Sequence, residues 1–410
     1  MLQNFLKKFS FYLPLLLPLL IPFSRAVADI TIILVSILFI IHCYINNEWK
    51  WIRLKWIRFA AIFWIYCLIL VTPLSINTFD SFNYSIFFLR WPLFAIALCF
   101  WIFSERIAIK KFLYGILFVI IFLVADSWWQ YFFQLDFFGN EKFSIDRLTG
   151  PFRRPYVGMW ISKLSLFIPF LFVIEKFDKN SIYKFFILFL IIFLTVFISG
   201  ERMALILTFI SIFIYTLGFY LNKYISIKKM IILFFLILIV IAPFYFYDPI
   251  TFYRSFVSLI YKIQNWRNSD YGLVWESAYM VWMESPFFGS GFHSYREACE
   301  SLGIYGTVDN PIGGGVCFHP HNITLELLSE LGIFGFILFY IMIFFIFAEF
   351  KMVLINKDYL LFSLYLSIFV GCFLPISSGM SIFSNKLASI IWLLIGFSLA
   401  FHNNSKNYKS

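Results

Sequence analysis

Long apolar stretches separated by short polar turns recur from one end of the chain to the other. A bilayer core of ~30 Å requires a helix of roughly 20 apolar residues. Backbone polar groups in hydrocarbon must also be satisfied within the segment, so each stretch reads as a helix. The pattern predicts twelve spans, near 10–23, 30–46, 57–74, 84–103, 111–133, 156–174, 184–199, 202–221, 229–247, 321–349, 358–376 and 385–402. The predicted fold class is therefore an all-α integral membrane protein, a bundle of about 12 transmembrane helices. Leu13 to Pro22 is apolar, but Ser24-Arg25-Ala26-Val27-Ala28-Asp29 runs straight into a second apolar stretch. That reads as a tight helical hairpin and not as a cleavable signal. Residues 1–247 hold helices one to nine, with a basic loop at 134–155; a large loop occupies 248–320; residues 321–410 hold the last three helices and a tail. No internal repeat or low-complexity tract interrupts this order.

Composition agrees: 62% of residues are hydrophobic and 13% charged, too little charge for a soluble domain of this length. With the N-terminus in the cytoplasm, 19 of the 32 basic residues fall in cytoplasmic segments and include most of the lysines. That is the positive-inside rule. The net charge of +10 then reports topology, and nucleic acid, which asks for a concentrated basic face, is not called for. The opposite face prefers arginine: Arg25, Arg90, Arg147, Arg153, Arg154, Arg202, Arg254, Arg267 and Arg296 stand there or within spans. A guanidinium grips phosphate through two parallel hydrogen bonds, which lysine cannot do, so the bias points to a phosphate-bearing ligand. Contact with lipid headgroups is the alternative. Arg90, Lys163 and Asp126 read as intramembrane charges that pair or mark a cavity. Trp128, Trp129 and Tyr131 read as an aromatic belt.

The long loop carries the only two cysteines outside apolar spans, Cys299 and Cys317, which can pair in an oxidising compartment. It closes on His319-Pro320-His321-Asn322, followed by Glu326 and Glu330 in the tenth span. His321 falls at a helix N-terminus, where the dipole disfavours imidazolium and leaves a neutral ring able to accept a proton. Asn322 is placed to cap that helix. Asn322, Glu326 and Glu330 are spaced by four and share one face, which must look into the bundle or a wet cavity. The structural alternative is that the histidines cap the helix and the glutamates pair with arginines. His319 reads as a loop or substrate-shell residue.

The stretch from His321-Asn322 to Glu330-Leu331-Gly332-Ile333-Phe334-Gly335 resembles the signature of the O-antigen ligase and polymerase family of membrane glycosyltransferases. Three further segments resemble that family in the expected order: Arg147-Leu148-Thr149-Gly150-Pro151-Phe152-Arg153-Arg154, Ser199-Gly200-Glu201-Arg202-Met203-Ala204, and Trp275-Glu276-Ser277-Ala278 with Pro286-Phe287-Phe288-Gly289-Ser290-Gly291. The resemblance implies transfer of a glycan from undecaprenyl diphosphate to an acceptor hydroxyl, lipid A-core for a ligase, at the outer face of a bacterial inner membrane. It further implies an inverting, metal-independent enzyme without a cofactor, with cytoplasmic termini and a periplasmic site. His321 matches the family's essential histidine and would act as general base. Arg202 matches the arginine that holds the diphosphate, with Arg147, Arg153 and Arg154 as further members of the cradle. Where the family often has a second arginine this chain has Tyr271, and Arg267, four residues earlier, is the candidate substitute. A polymerase of the same family, which elongates the glycan on its carrier, fits as a second reading. A transporter of lipid-linked sugars is the reading from another class. Duplicated halves would support it, and the chain does not show them.

Overall fold

The computed structural model describes residues 2–175, 179–304, 317, 319–377 and 379–404. Among these the regular structure is helical, apart from two isolated bridges, Leu135 with Glu141 and Ser144 with Arg147, inside the basic loop. Nine long apolar helices come first: α1 (Phe5–Phe23), α2 (Arg25–Asn46), α3 (Lys55–Leu74), α4 (Thr78–Ile102), α5 (Arg106–Phe133), α6 (Val157–Ile174), α7 (Ser181–Ile198), α8 (Arg202–Leu221) and α9 (Ile227–Tyr247). Two shorter helices, α10 (Asp270–Glu284) and α11 (Tyr295–Ser301), belong to the long loop. Then come α12 (Ile323–Ala348), α13 (Tyr359–Phe373) and α14 (Asn385–Asn404). Among the described residues, eleven helices are long and apolar enough to cross a membrane, and α13 is a shorter apolar helix. Each expected span falls on one of them, but the eleventh is shorter than 358–376. The helix stops at Phe373, where the coming Pro375 drives Leu374 into extended backbone. Lys176, Lys406 and Lys409, used in the charge count, lie outside the described residues, as does the side chain of Lys179.

The bundle closes where small residues let backbones approach. Gly396 of α14 lies against the Ala95 backbone of α4, and Gly218 of α8 against Ser363 of α13; a methyl group at either glycine would come closer than 3.0 Å to those atoms. α6 and α14 are the most enclosed of the long helices, whereas α9 is the least buried. Of the intramembrane charges, Arg90 pairs with Asp29 at 3.3 Å and donates to Asn385 at 2.7 Å. Lys163 is buried and donates to the Gly371 carbonyl. Asp126 accepts from the Phe137 backbone and so anchors the basic loop. Trp128 and Tyr131 are not free belt residues. They tie α5 to Thr195 of α7 (3.0 Å) and to Asp248 (2.6 Å), because a buried N–H or O–H needs a partner.

The long loop is not all solvent-facing polar chain. Its first part, Pro249 to Gln264, is a run of short helical turns that expose Tyr253, Val257, Ile260 and Ile263. Such a face suits the bilayer interface better than water. The second part packs Ala278, Val281, Tyr295, Ala298, Cys299 and Cys317 into a small core of its own, where Cys299 and Cys317 are disulfide-bonded.

α12 is broken at Gly332, whose φ of 67° and ψ of −175° leave the helical region. Segment 286–291 lies in that break. Ile333 donates to the Pro286 carbonyl (2.9 Å), Ser290 to Ser329 (2.8 Å) and Gly291 to Glu330 (2.9 Å), and the Tyr66 hydroxyl reaches Leu331 O (2.7 Å). The backbone groups freed by the break are thus satisfied inside the protein, as irregular backbone at membrane depth requires. Gly289 lies against the Glu330–Leu331 peptide and Gly332 against the Phe287–Phe288 peptide, so closely that a Cβ on either would clash. This fixes the direction of Ile323–Leu331, the segment that carries the two glutamates.

Candidate active site

A cavity of about 580 Å³ opens between the loop ends of α6 and α8, the helical turns of 249–264, α10, and the approach to α12. Its volume is that of a small-molecule site. His321, Arg147, Arg202 and Tyr271 line it together, joined by Arg254, Lys262, Lys163 and Glu201. One wall is apolar: Ile206, Leu207, Leu259 and Ile263.

The arginines are held by the turn between α7 and α8. Gly200 takes φ 73°, a conformation only glycine adopts without strain, and the backbone of the basic loop runs where its side chain would be. Leu148 N donates to the Ser199 carbonyl, tying that loop to the turn. Arg254 bridges the two through Nε to Gly200 O (2.8 Å) and Nη1 to Asp146 (2.7 Å). Arg202 Nε donates to the Arg254 carbonyl (3.1 Å). Burial alone would push Asp146 up, but hydrogen bonds from Ser144 and Arg254 hold it below the usual carboxylate range. Arg147 Nε is buried and has no hydrogen-bond partner among the described residues. Burial first, then the charge of Arg254, pushes the Arg147 pKa down. Crowded cations with unused donors are the electrostatic condition for binding an anion. The N-terminus of α8, which starts at Arg202, adds its positive end to the same cavity.

Glu201 is the acidic member of the wall. Its carboxylate accepts from Gly158 N (2.7 Å) and Met159 N (3.2 Å) and so caps α6. Burial pushes its pKa up to about 7 in spite of those bonds and of nearby Arg147.

His321 stands with φ 50° just before α12, and Asn322 caps that helix by accepting from Thr324 N and Leu325 N. The His321 ring meets Tyr271 edge-on at 6.2 Å and His319 at 5.0 Å. His319 is buried behind it, 3.8 Å from Glu326, too far for a hydrogen bond. Burial and the neighbouring His321 push the His319 pKa well down. Among the described residues the glutamates make no ion pair with an arginine. Glu326 accepts from Ile382 N (3.3 Å) and Glu330 from His293 N (2.9 Å), so both tether loops to the broken helix. Trp275 of α10 also lines the cavity, and its Nε1 is buried with no hydrogen-bond partner among the described residues.

His321, Arg202 and Arg147 therefore share one cavity. Arg153 and Arg154 are exposed and do not line it, although Pro155 and Tyr156 next to them do. Arg267 is also exposed and lies over Trp266, so it does not take the place left by Tyr271. Arg254 does line the cavity. In sequence it was one outer arginine among nine, and no spacing singles it out, since it reaches Arg202 only through the folding back of 249–264.

In comparison with known proteins, residues 187–340 match the family model described as O-Antigen ligase. That stretch includes the Arg202 turn, the Trp275 segment and His321, while Arg147 lies before it. No curated protein matches the chain.

Proposed function

We propose that this chain, which over residues 187–340 belongs to the O-antigen ligase family, is a ligase-type glycosyltransferase that uses the cavity just described. It moves a glycan from undecaprenyl diphosphate to an acceptor sugar hydroxyl, with lipid A-core as the acceptor. The observation that carries the reading is the joint lining: a histidine and three arginines line one cavity that also carries an apolar strip. Arg147, Arg202 and Arg254 hold the diphosphate, and the strip Ile206, Leu207, Leu259 and Ile263 takes the start of the prenyl chain. His321 accepts the proton of the acceptor hydroxyl as that oxygen attacks the anomeric carbon. The bond from that carbon to the diphosphate oxygen breaks, and undecaprenyl diphosphate leaves with the electron pair. Its growing charge meets Arg147 and also Arg254 and Arg202, the last two already fixed by their bonds to Gly200, Asp146 and the Arg254 carbonyl. Attack opposite the leaving group inverts the anomeric centre. The arginines supply the charge stabilisation, without a metal or cofactor. Tyr271 packs on the His321 ring and helps fix its orientation. The cavity end of the bundle is then periplasmic, both termini are cytoplasmic, and the protein resides in a bacterial inner membrane.

The test is transfer by purified protein from an undecaprenyl diphosphate glycan to lipid A-core in the presence of chelator, with His321→Ala beside the wild type. Glycan on lipid A-core, lost in the variant while folding is kept, is the expected result. Full activity in the variant would overturn the role of His321. Longer glycan still on its carrier would move the assignment to a polymerase, a reading favoured by one observation, that the basic loop at 134–155 contributes Arg147 to the cavity.

A further inference from the structure

A second cavity, of about 260 Å³, lies at the same end of the bundle, between the first turn of α2, the middle of α4 and the start of α14. Its polar lining is Arg25, Asp29, Asn83, Tyr84, Arg90 and Asn385. The cations are not used up internally. Arg25 is exposed and makes no ion pair among the described residues. Arg90 bonds Asp29 and Asn385 through Nη2, yet its Nε is buried with no hydrogen-bond partner there. Two arginines face a single carboxylate, so the cavity carries a net positive charge. Asn83, Asn385 and the Tyr84 hydroxyl add donors and acceptors of the kind that bind sugar hydroxyls. Exposed Ile30 and Phe87 flank it on the outside of the bundle, where acyl chains would lie.

The two cavities are close neighbours. The segment between α13 and α14 places Ile376, Gly379 and Met380 on the first and Phe383 and Asn385 on the second. Met380 and Phe383 are three residues apart, so their Cα atoms lie within ~11 Å. The wall between the cavities is built from the broken helix: Glu326 holds Ile382 N, Glu330 holds His293 N, and His293 stacks on Tyr84 at 3.9 Å. His319 stands between Glu326 and His321 in the same wall.

We propose that this second cavity anchors the acceptor, by binding the phosphate-bearing saccharide headgroup of a membrane glycolipid between Arg25 and Arg90. The proposal rests on the transferase reading, and it gives the two lipid substrates separate cationic sites on either side of the wall that carries His321. A phosphate held by two arginines anchors the headgroup, and the sugar chain reaches over the wall to the histidine.

Binding of lipid A-core to the full protein in nanodiscs, measured without donor, tests this independently of turnover. Arg25→Gln is expected to weaken binding about 10-fold or more, the usual effect of losing a charge-assisted contact, and to leave binding of the undecaprenyl diphosphate glycan unchanged. Phosphatase-treated lipid A-core should lose the same factor on the wild type. Asn83→Ala, which alters no charge, serves as a second variant and should weaken both forms of the lipid alike. Unchanged affinity in Arg25→Gln, or equal competition by phosphatidylglycerol, would overturn the proposal. Arg25-dependent binding without any transfer would leave the site standing and sink the transferase reading. Transfer with Arg25-independent binding would do the reverse.

Discussion

Gly332→Ala is the most direct test of how the fold sets the site. Gly332 has φ 67° and ψ −175°, a region that side-chain-bearing residues enter at a cost of about 1–3 kcal/mol. Its new Cβ would also lie under 3.0 Å from the carbonyl group of Phe287, which is backbone and cannot rotate aside. Relief requires segment 286–291 to move off α12. That weakens the bonds from Ile333 to Pro286, Ser290 to Ser329 and Gly291 to Glu330, each worth about 1 kcal/mol. Together these predict a loss of roughly 3–5 kcal/mol. At about 2 °C per kcal/mol, suited to a large chain, the apparent Tm in detergent should fall by roughly 6–10 °C. The control is Gly139→Ala. Gly139 has φ 82°, but a Cβ there meets nothing within 4 Å, so that variant carries the backbone cost alone. If Gly332→Ala melts within about 2 °C of Gly139→Ala, the interlock has no energetic weight and the reasoning fails.

Other consequences can be measured on the same preparation. Arg254→Lys keeps the charge but not the fork, and should raise the donor KM roughly 10-fold with the acceptor KM unchanged; no change in donor KM would remove Arg254 from the cradle. Glu201 has its folded pKa raised from 4.5 to about 7. The folded state therefore holds the extra proton, and this contribution to stability is complete below about pH 4.5 and lost as pH rises through about 7. Glu201→Gln should flatten the dependence of Tm on pH across that window, and an unaltered profile would contradict the assignment. Alkylation of the denatured, unreduced protein should label Cys43, Cys67, Cys99 and Cys372 and spare Cys299 and Cys317; labelling of all six would dissolve the disulfide.

The apolar periodicity alone located the eleven long apolar helices and the shorter α13 among the described residues, because a span must satisfy its backbone internally and show lipid a continuous apolar surface. Short-range chemistry was equally legible: Asn322 caps α12 because its neighbours in sequence are its partners in space. The motifs also named His321 and Arg202, which share one cavity. Only the tertiary structure could decide the rest. Arg254 joins Arg202 through contacts some 50 residues apart in sequence, and Arg153, Arg154 and Arg267 fall away from the cavity although they lie beside residues that line it. Glu326 and Glu330 share a face as their spacing requires, and they hold backbone N–H groups from two other loops, neither of which their spacing names. A helix period fixes which way a side chain points along its own axis. What it meets there depends on which distant segment folds against that face, and for these glutamates that was set by the break at Gly332 and the chain that lies in it.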